Sequence, residues 1–255
     1  MDMQVQSFAV ANLRRRPETV EAGGFVAGFV PGTDSPYINY ATPLPGARPT
    51  RQDVTALIGR FRERGLLPRL EFAPEAAPEV EPALRAAGFT TEAVHEYLVC
   101  APDTLAPPRH AGAPRVETPA TDEEFLRLDA ALAEAFGGLF PASAEGAARL
   151  RRTQEGGGAV RFVRDPHGGA AGGASCSAPA EGTAELSGVG TRPAHRGRGV
   201  AAAVTASLAG AMFEAGARSV WLEYSGEGSR RVYERVGFRP RGTRLYVSLP
   251  TAERD

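Results

Sequence analysis

The chain has 255 residues, 42% of them hydrophobic, and a formal net charge of −1 from 29 basic and 30 acidic residues. That length allows one large domain or two small ones, each with its own core. The balanced charge excludes a global field for nucleic acid or an anionic membrane surface. Every basic residue is arginine, which excludes a lysine Schiff base or a P-loop lysine.

The start, Met1-Asp2-Met3-Gln4, lacks a charged residue followed by an apolar run, so no signal peptide is expected. No stretch offers eighteen consecutive apolar residues, and the reading is a soluble, cytoplasmic protein with no membrane partner. Cys100 and Cys176 each sit in or near an apolar stretch and read as small buried hydrophobes rather than reactive thiols. His95, His110, His167 and His195 are scattered, and no metal site is expected.

In chain order, Val54, Leu57, Ile58 and Phe61 recur at helical spacing and predict a helix from Asp53 to Arg64, ended by Gly65. A strand, Arg69-Leu70-Glu71-Phe72, follows, then a helix near Ala77 to Ala87, Gly88-Phe89, and a strand containing Tyr97. Ala101 to Pro114 contains four prolines, which forbid a helix interior or a central strand. This segment divides the chain into an N-terminal domain of residues 1–104, a linker of residues 105–114 and a C-terminal domain of residues 115–255.

In the second half, Thr121 to Gly156 carries Asp122, Glu123, Glu124, Asp129 and Glu134, either a face for a cationic acceptor or a solvated helix surface. From Glu185 the sequence alternates as a strand until Pro193 breaks it. Gly197 and Gly199 then free the backbone where a helix of about Gly199 to Ala215 begins. A strand from Ser219 to Tyr224, a helix near Ser229 to Arg235, Gly237-Phe238 and a final strand around Tyr246 complete the chain.

The halves correspond. Leu70-Glu71-Phe72 matches Leu222-Glu223-Tyr224, and Gly88-Phe89 matches Gly237-Phe238. Tyr97 follows Phe89 at the interval that separates Tyr246 from Phe238. This order predicts a duplicated supersecondary plan.

The strand-turn-helix at Glu185 to Ala201 has the makings of an anion cradle. A helix start presents unpaired N–H groups and a partial positive charge. Glycines let a phosphate approach them, and Arg196 and Arg198 add counter-charge. A nucleic-acid contact is a poor alternative, because no basic helix or aromatic platform accompanies Arg196-Gly-Arg-Gly199.

The run Arg196-Gly-Arg-Gly199-Val-Ala201 resembles the Arg/Gln-x-x-Gly-x-Gly/Ala signature of the GNAT superfamily of N-acetyltransferases. Downstream, Val232-Tyr233-Glu234-Arg235-Val236-Gly237-Phe238 resembles that family's second signature, a Tyr followed by Gly-Phe. The resemblance covers Glu185 to Leu249 clearly and Arg115 onward more loosely. It implies an α/β (α+β) fold of two GNAT-like units, each a mixed, mostly antiparallel sheet flanked by helices. It further implies acetyl-coenzyme A as co-substrate, no metal, and a small-molecule or peptide amine as acceptor, with a homodimer left open.

Carried over, Val189, Gly190 and Thr191 would meet the pantetheine arm where the strand splays from its neighbour. Arg196, Gly197, Arg198, Gly199, Val200 and Ala201 would meet the phosphates. Tyr233 matches the family's general acid, which protonates the departing thiolate. Glu185, eleven residues before Arg196, matches the base position of some members, and Glu223 is a second candidate. His195 reads as a phosphate neighbour or a surface residue.

The sequence departs from the family in two places. Gly226 stands where the family often has Asn, with Ser225 or Ser229 as substitutes. In the first half, Pro45 to Arg51 lacks the paired-Gly turn and no Tyr precedes Gly88-Phe89, so this copy reads as degenerate. The expected activity is acetyl transfer to a primary amine by direct attack; the alternative is a non-catalytic acyl-coenzyme A sensor or scaffold.

Overall fold

A computed structural model describes residues 1–108, 112–139 and 141–250; Arg109, His110 and Ala111 of the Pro-rich segment lie outside the described residues. Its elements run α1 (Asp2–Leu13), β1 (Glu18–Ala22), β2 (Phe25–Phe29), β3 (Tyr40–Pro43), α2 (Arg51–Arg62), β4 (Arg69–Phe72), α3 (Val80–Ala86) and β5 (Thr90–Cys100). There follow β6 (Val116–Glu117), α4 (Asp122–Ala135), α5 (Ala144–Glu155), β7 (Ala159–Arg164), β8 (Ala170–Cys176) and β9 (Thr183–Thr191). The chain ends with α6 (Val200–Glu214), β10 (Ser219–Glu223), α7 (Glu227–Val236) and β11 (Arg239–Ser248). The architecture is mixed α/β with mostly antiparallel strand pairing, as expected.

Two compact units form: Met1–Tyr97 together with the segment from Arg241 onward, and Leu98–Pro240. This grouping differs from a division at the Pro-rich segment because strand pairing follows hydrogen bonds rather than chain order. Leu245, Tyr246, Val247 and Ser248 of β11 pair antiparallel with Phe72, Glu71, Leu70 and Arg69 of β4.

In the first unit the strand order is β1-β2-β3-β4-β11-β5. Val54, Leu57 and Phe61 of α2 and Val80 and Leu84 of α3 bury their apolar stripes against Phe25, Phe29, Leu70 and Phe72, with Leu245 and Val247 of β11 in the same cluster. Helix α1 is tied down by buried Gln6, whose Nε2 donates to Thr42 Oγ1 at 2.8 Å while its Oε1 accepts from the Ala73 N–H at 2.9 Å.

In the second unit the order is β10-β9-β8-β7-β6. Among the described residues there, β9 and β10 pair parallel, and β6 with β7, β7 with β8 and β8 with β9 pair antiparallel. Helix α6 is rich in alanine, and Val204, Leu208, Ala209 and Met212 are buried with Ala174, Ala184, Leu186 and Val220 of the strands. Cys100 and Cys176 are free and lie in this core, where burial pushes both thiols up.

Truncating one β11 core residue should therefore weaken the first unit. We expect Leu245→Ala to cost about 2–5 kcal/mol, read as a shift in the urea unfolding midpoint. A loss under about 1 kcal/mol would contradict the place given to β11 in that core.

Candidate active site

Three helices begin with a side-chain cap. Thr50 and Asp53 form a reciprocal capping box on α2, Thr121 and Glu124 do so on α4, and Ser143 accepts from the Gly146 N–H on α5. Helix α6 differs. Its N-cap is Gly199, at φ +79°, and no side chain bonds its first-turn N–H groups. A residue with a Cβ is strained at that φ, so the open helix start and the glycine belong together.

The open start faces a cleft of about 690 Å³. Thr191 and residues 195–202 form one wall, and Gly228, Ser229, Val232 and Arg235 of α7 form the other. Helix α7 also begins at a glycine, Gly226, without a side-chain cap. Buried Thr191 Oγ1 has no hydrogen-bond partner among the described residues, an orphaned polar atom beside the cleft. Together these features fit a phosphate-bearing ligand with a polar arm.

The two arginines of the turn are employed differently. Arg196 Nε donates to the Thr191 carbonyl at 3.3 Å and its Nη2 to the Ala135 carbonyl at 3.2 Å. Its guanidinium thus ties the end of α4 to the turn. Arg198 has no such partner among the described residues and lines the cleft. Nearby, Arg192 bonds Glu134 at 2.7 Å and Asp165 at 3.3 Å, a second tie between α4 and the end of β9.

Sequence reading missed a bulge in β9. Gly173 pairs with Gly190 and Ser175 with Ser187, so β9 spends three residue steps where β8 spends two. Gly188, at φ +65°, lies in the extra step. Its signal was present, a Gly-Val-Gly inside a strand pattern, but a glycine in a strand has several readings. A bulge leaves a backbone group outside the ladder and is common beside active sites. Gly190 lies just beyond; a Cβ there would stand 2.9 Å from Leu132 Cδ2 and 3.0 Å from Ala135 Cβ of α4.

On its other edge β9 pairs with β10 only from Thr183 to Glu185, opposite Ser219 to Trp221. From Leu186 to Thr191 that edge has no partner strand in register among the described residues, so the two parallel strands part toward the turn.

Ala184 and Leu186 enter the core on the α6 side, whereas Glu185 between them is half-buried and takes the opposite face. Glu185 lies six residues before Thr191, about 20 Å along the strand. Glu223, two residues beyond Trp221, is also half-buried.

Tyr233 does not line the cleft. Its ring is buried in the α6-side core, 6.3 Å between centroids from Phe238. No described residue hydrogen-bonds its hydroxyl. Burial pushes the phenol from 10.0 up to about 12.

The five acids of the α4 region are engaged internally. Asp122 pairs with Arg151, Glu123 with Arg127 at 2.5 Å, Glu124 with Arg164 at 2.7 Å and Glu134 with Arg192 at 2.7 Å. Asp129 accepts from the Ser143 N–H at 2.8 Å. The Ala120 N–H and then Arg164 hold Glu124 down to about 2. Asp122 and Asp129 tie α4 to α5, while Glu124 and Glu134 tie it to Arg164 of β7 and to Arg192. Among the described residues no His, Cys, Asp and Glu cluster could hold a metal ion, and no helix is long and apolar enough to cross a membrane.

Residues 126–238, less than half of the chain, match the acetyltransferase (GNAT) family, which supports acyl transfer as the activity of this segment. Among solved structures, a GCN5-related N-acetyltransferase from Kribbella flavida is 24% identical, with a TM-score of 0.83 over 99% of this chain and 96% of the other. A GCN5-related N-acetyltransferase from Sphaerobacter thermophilus is 18% identical, with a TM-score of 0.61 over 89% and 78% of the two chains. A tandem GNAT protein from the clavulanic acid biosynthesis pathway is 14% identical, with a TM-score of 0.64 over 98% and 88%. No curated protein matches the chain by sequence.

The raised Tyr233 phenol makes a pH prediction. The folded state keeps the proton longer than the unfolded state, so the associated stability is present below pH 10 and is lost as pH rises toward about 12. Tyr233→Phe should remove that share of the alkaline loss, seen as a smaller drop in urea midpoint over this window. An identical drop in both proteins would place the phenol in water.

Proposed function

We propose that the chain transfers an acetyl group from acetyl-coenzyme A to a primary amine by direct attack, at one site in the second unit. The observation that carries this reading is the uncapped, glycine-opened start of α6 facing the cleft. When bound, the co-substrate supplies an acyl group activated as a thioester.

Gly197, Arg198, Gly199, Val200 and Ala201 would hold the pyrophosphate, chiefly through N–H groups and the unpartnered Arg198 guanidinium. Arg196 would contribute backbone only, because its side chain is occupied by the Thr191 and Ala135 carbonyls. Val189, Gly190 and Thr191 would meet the pantetheine arm along the edge from which β10 parts, and Thr191 Oγ1 is free to bond it. Ser229, on the facing wall, can serve in place of the family's Asn.

Two proton-handling groups flank this part of the sheet on opposite faces. Tyr233 comes from the α6 side, and a phenol, neutral at physiological pH, can donate to a departing thiolate. Glu185 comes from the other side and would take the amine proton directly or through water, with Glu223 next in line. Attack from one face and departure toward the other separates the base from the acid.

The first unit supports a degenerate copy. Helix α2 corresponds to α6, yet Asp53 accepts the Thr50 N–H at 2.8 Å and the Thr50 hydroxyl at 2.6 Å at its start. Those hydrogen bonds hold the Asp53 carboxyl below its usual range, so a carboxylate already occupies the helix start. The acceptor would be a small-molecule or peptide amine.

A panel of amines, amino acids and amine-bearing peptides, assayed for free coenzyme A thiol, tests the reading. At least one amine should give turnover. With it, Tyr233→Phe should lower kcat by about 10²- to 10⁴-fold while cofactor affinity changes little, the pattern of an interaction made mainly in the transition state. Undiminished kcat would remove Tyr233 from the chemistry, and cofactor binding without turnover on any amine would make the protein a sensor.

A further inference from the structure

The cleft continues into a second hollow. Arg235 lines both the 690 Å³ cleft and a neighbouring hollow of about 410 Å³, whose remaining lining is Arg231, Glu234 and Arg239. Three guanidiniums thus meet one carboxylate. That carboxylate is spoken for, because Glu234 pairs with Arg230 at 2.9 Å. Arg239 Nη1 is fixed by the Glu234 and Phe238 carbonyls at 2.7 and 2.8 Å and keeps its full charge. Arg231 and Arg235 have no side-chain partner among the described residues.

Arg231 and Arg235 are also one turn apart on α7, where like charges repel. Several other arginines of this unit, among them Arg127, Arg151, Arg164 and Arg192, are paired with carboxylates. Across the turn, a hollow of about 290 Å³ also contains arginines, but its Arg164 is bound to Glu117 at 2.8 Å and Glu124 at 2.7 Å. That hollow keeps Arg115 and Arg198 as unpartnered cations among the described residues, but on the α7 side three guanidiniums converge beside a single carboxylate that Arg230 already holds.

We propose that Arg231, Arg235 and Arg239 form a receptor for a phosphomonoester dianion, and that its occupant is the 3′-phosphate of coenzyme A. The assignment rests on the acyl-coenzyme A reading above. It makes these arginines specificity-determining: they distinguish coenzyme A from its 3′-dephospho form, while the α6 start holds the pyrophosphate common to both. Arginine suits the task because its planar fork meets phosphate oxygens in pairs.

Calorimetric titration of coenzyme A and 3′-dephospho-coenzyme A into the full chain at low salt tests this directly. The parent protein should bind coenzyme A about tenfold more tightly, the scale of one or two charged hydrogen bonds at a partly exposed site. In R231Q/R235Q the preference should vanish because coenzyme A affinity falls about tenfold further than dephospho-coenzyme A affinity, with circular dichroism showing that the variant is folded. Arg235→Lys should recover part of the preference. A parent protein that binds both forms equally, or a double variant that keeps the preference, would overturn the assignment. Equal binding of the two forms together with weakened use of a phosphorylated acceptor in the double variant would transfer the hollow to the acceptor. Failure of either form to bind the parent would instead overturn the acyl-coenzyme A reading and this assignment with it.

Discussion

An α-helix starts with N–H groups that its own turns cannot satisfy, and something must meet them. In this protein that constraint is met differently at different helices, and the contrast between α2 and α6 bears on the site. Where Thr50, Thr121 or Ser143 supplies a cap, the helix start is closed. At α6 the cap is a glycine, and the N–H groups are left to a ligand. The contrast between α2 and α6 follows from a few residues. A Thr and an Asp three residues apart hold a negative charge at one helix start, and Gly197 and Gly199 with Arg198 hold the other open to one.

The surrounding structure keeps that opening in place. Helix α4 packs closely on Gly190, and Arg196 and Arg192 fasten its end to the turn through the Ala135 carbonyl and Glu134. Arg196 lies in the signature stretch, yet its side chain acts within the fold. The bulge at Gly188 disturbs the ladder on one edge of β9 just where β10 leaves the other. A strand with both edges loosened can offer backbone groups to an extended arm, which a regular central strand cannot.

Much of this was legible in the sequence because it is written locally. The glycine-arginine turn, the helix after it and the Tyr-to-Gly-Phe stretch are short patterns with direct conformational causes, and the helices and strands appear close to the expected residues. What was not legible depends on distant partners. Helix α1 buries Val5, Phe8, Val10 and Leu13, but its buried Gln6 finds its partners Thr42 and Ala73 far along the chain. Nothing in the alternation of β11 says that Leu245 and Val247 belong with Phe72 and Leu70, because a period of two names a face and not a neighbour. The acids of α4 were equally ambiguous, since their arginine partners lie up to 58 residues away, as Glu134 and Arg192 do.

The central claim is that the start of α6 receives a phosphate-bearing acyl donor, and that Gly199 keeps it open. Calorimetric titration of acetyl-coenzyme A into the parent protein and into Gly199→Glu tests it most directly, with circular dichroism to establish that the variant is folded. The account predicts one site per parent chain and no measurable binding by the folded variant, whose added carboxylate would stand at the helix start as Asp53 does on α2. Two equivalent sites in the parent, or undiminished affinity in the folded variant, would contradict it.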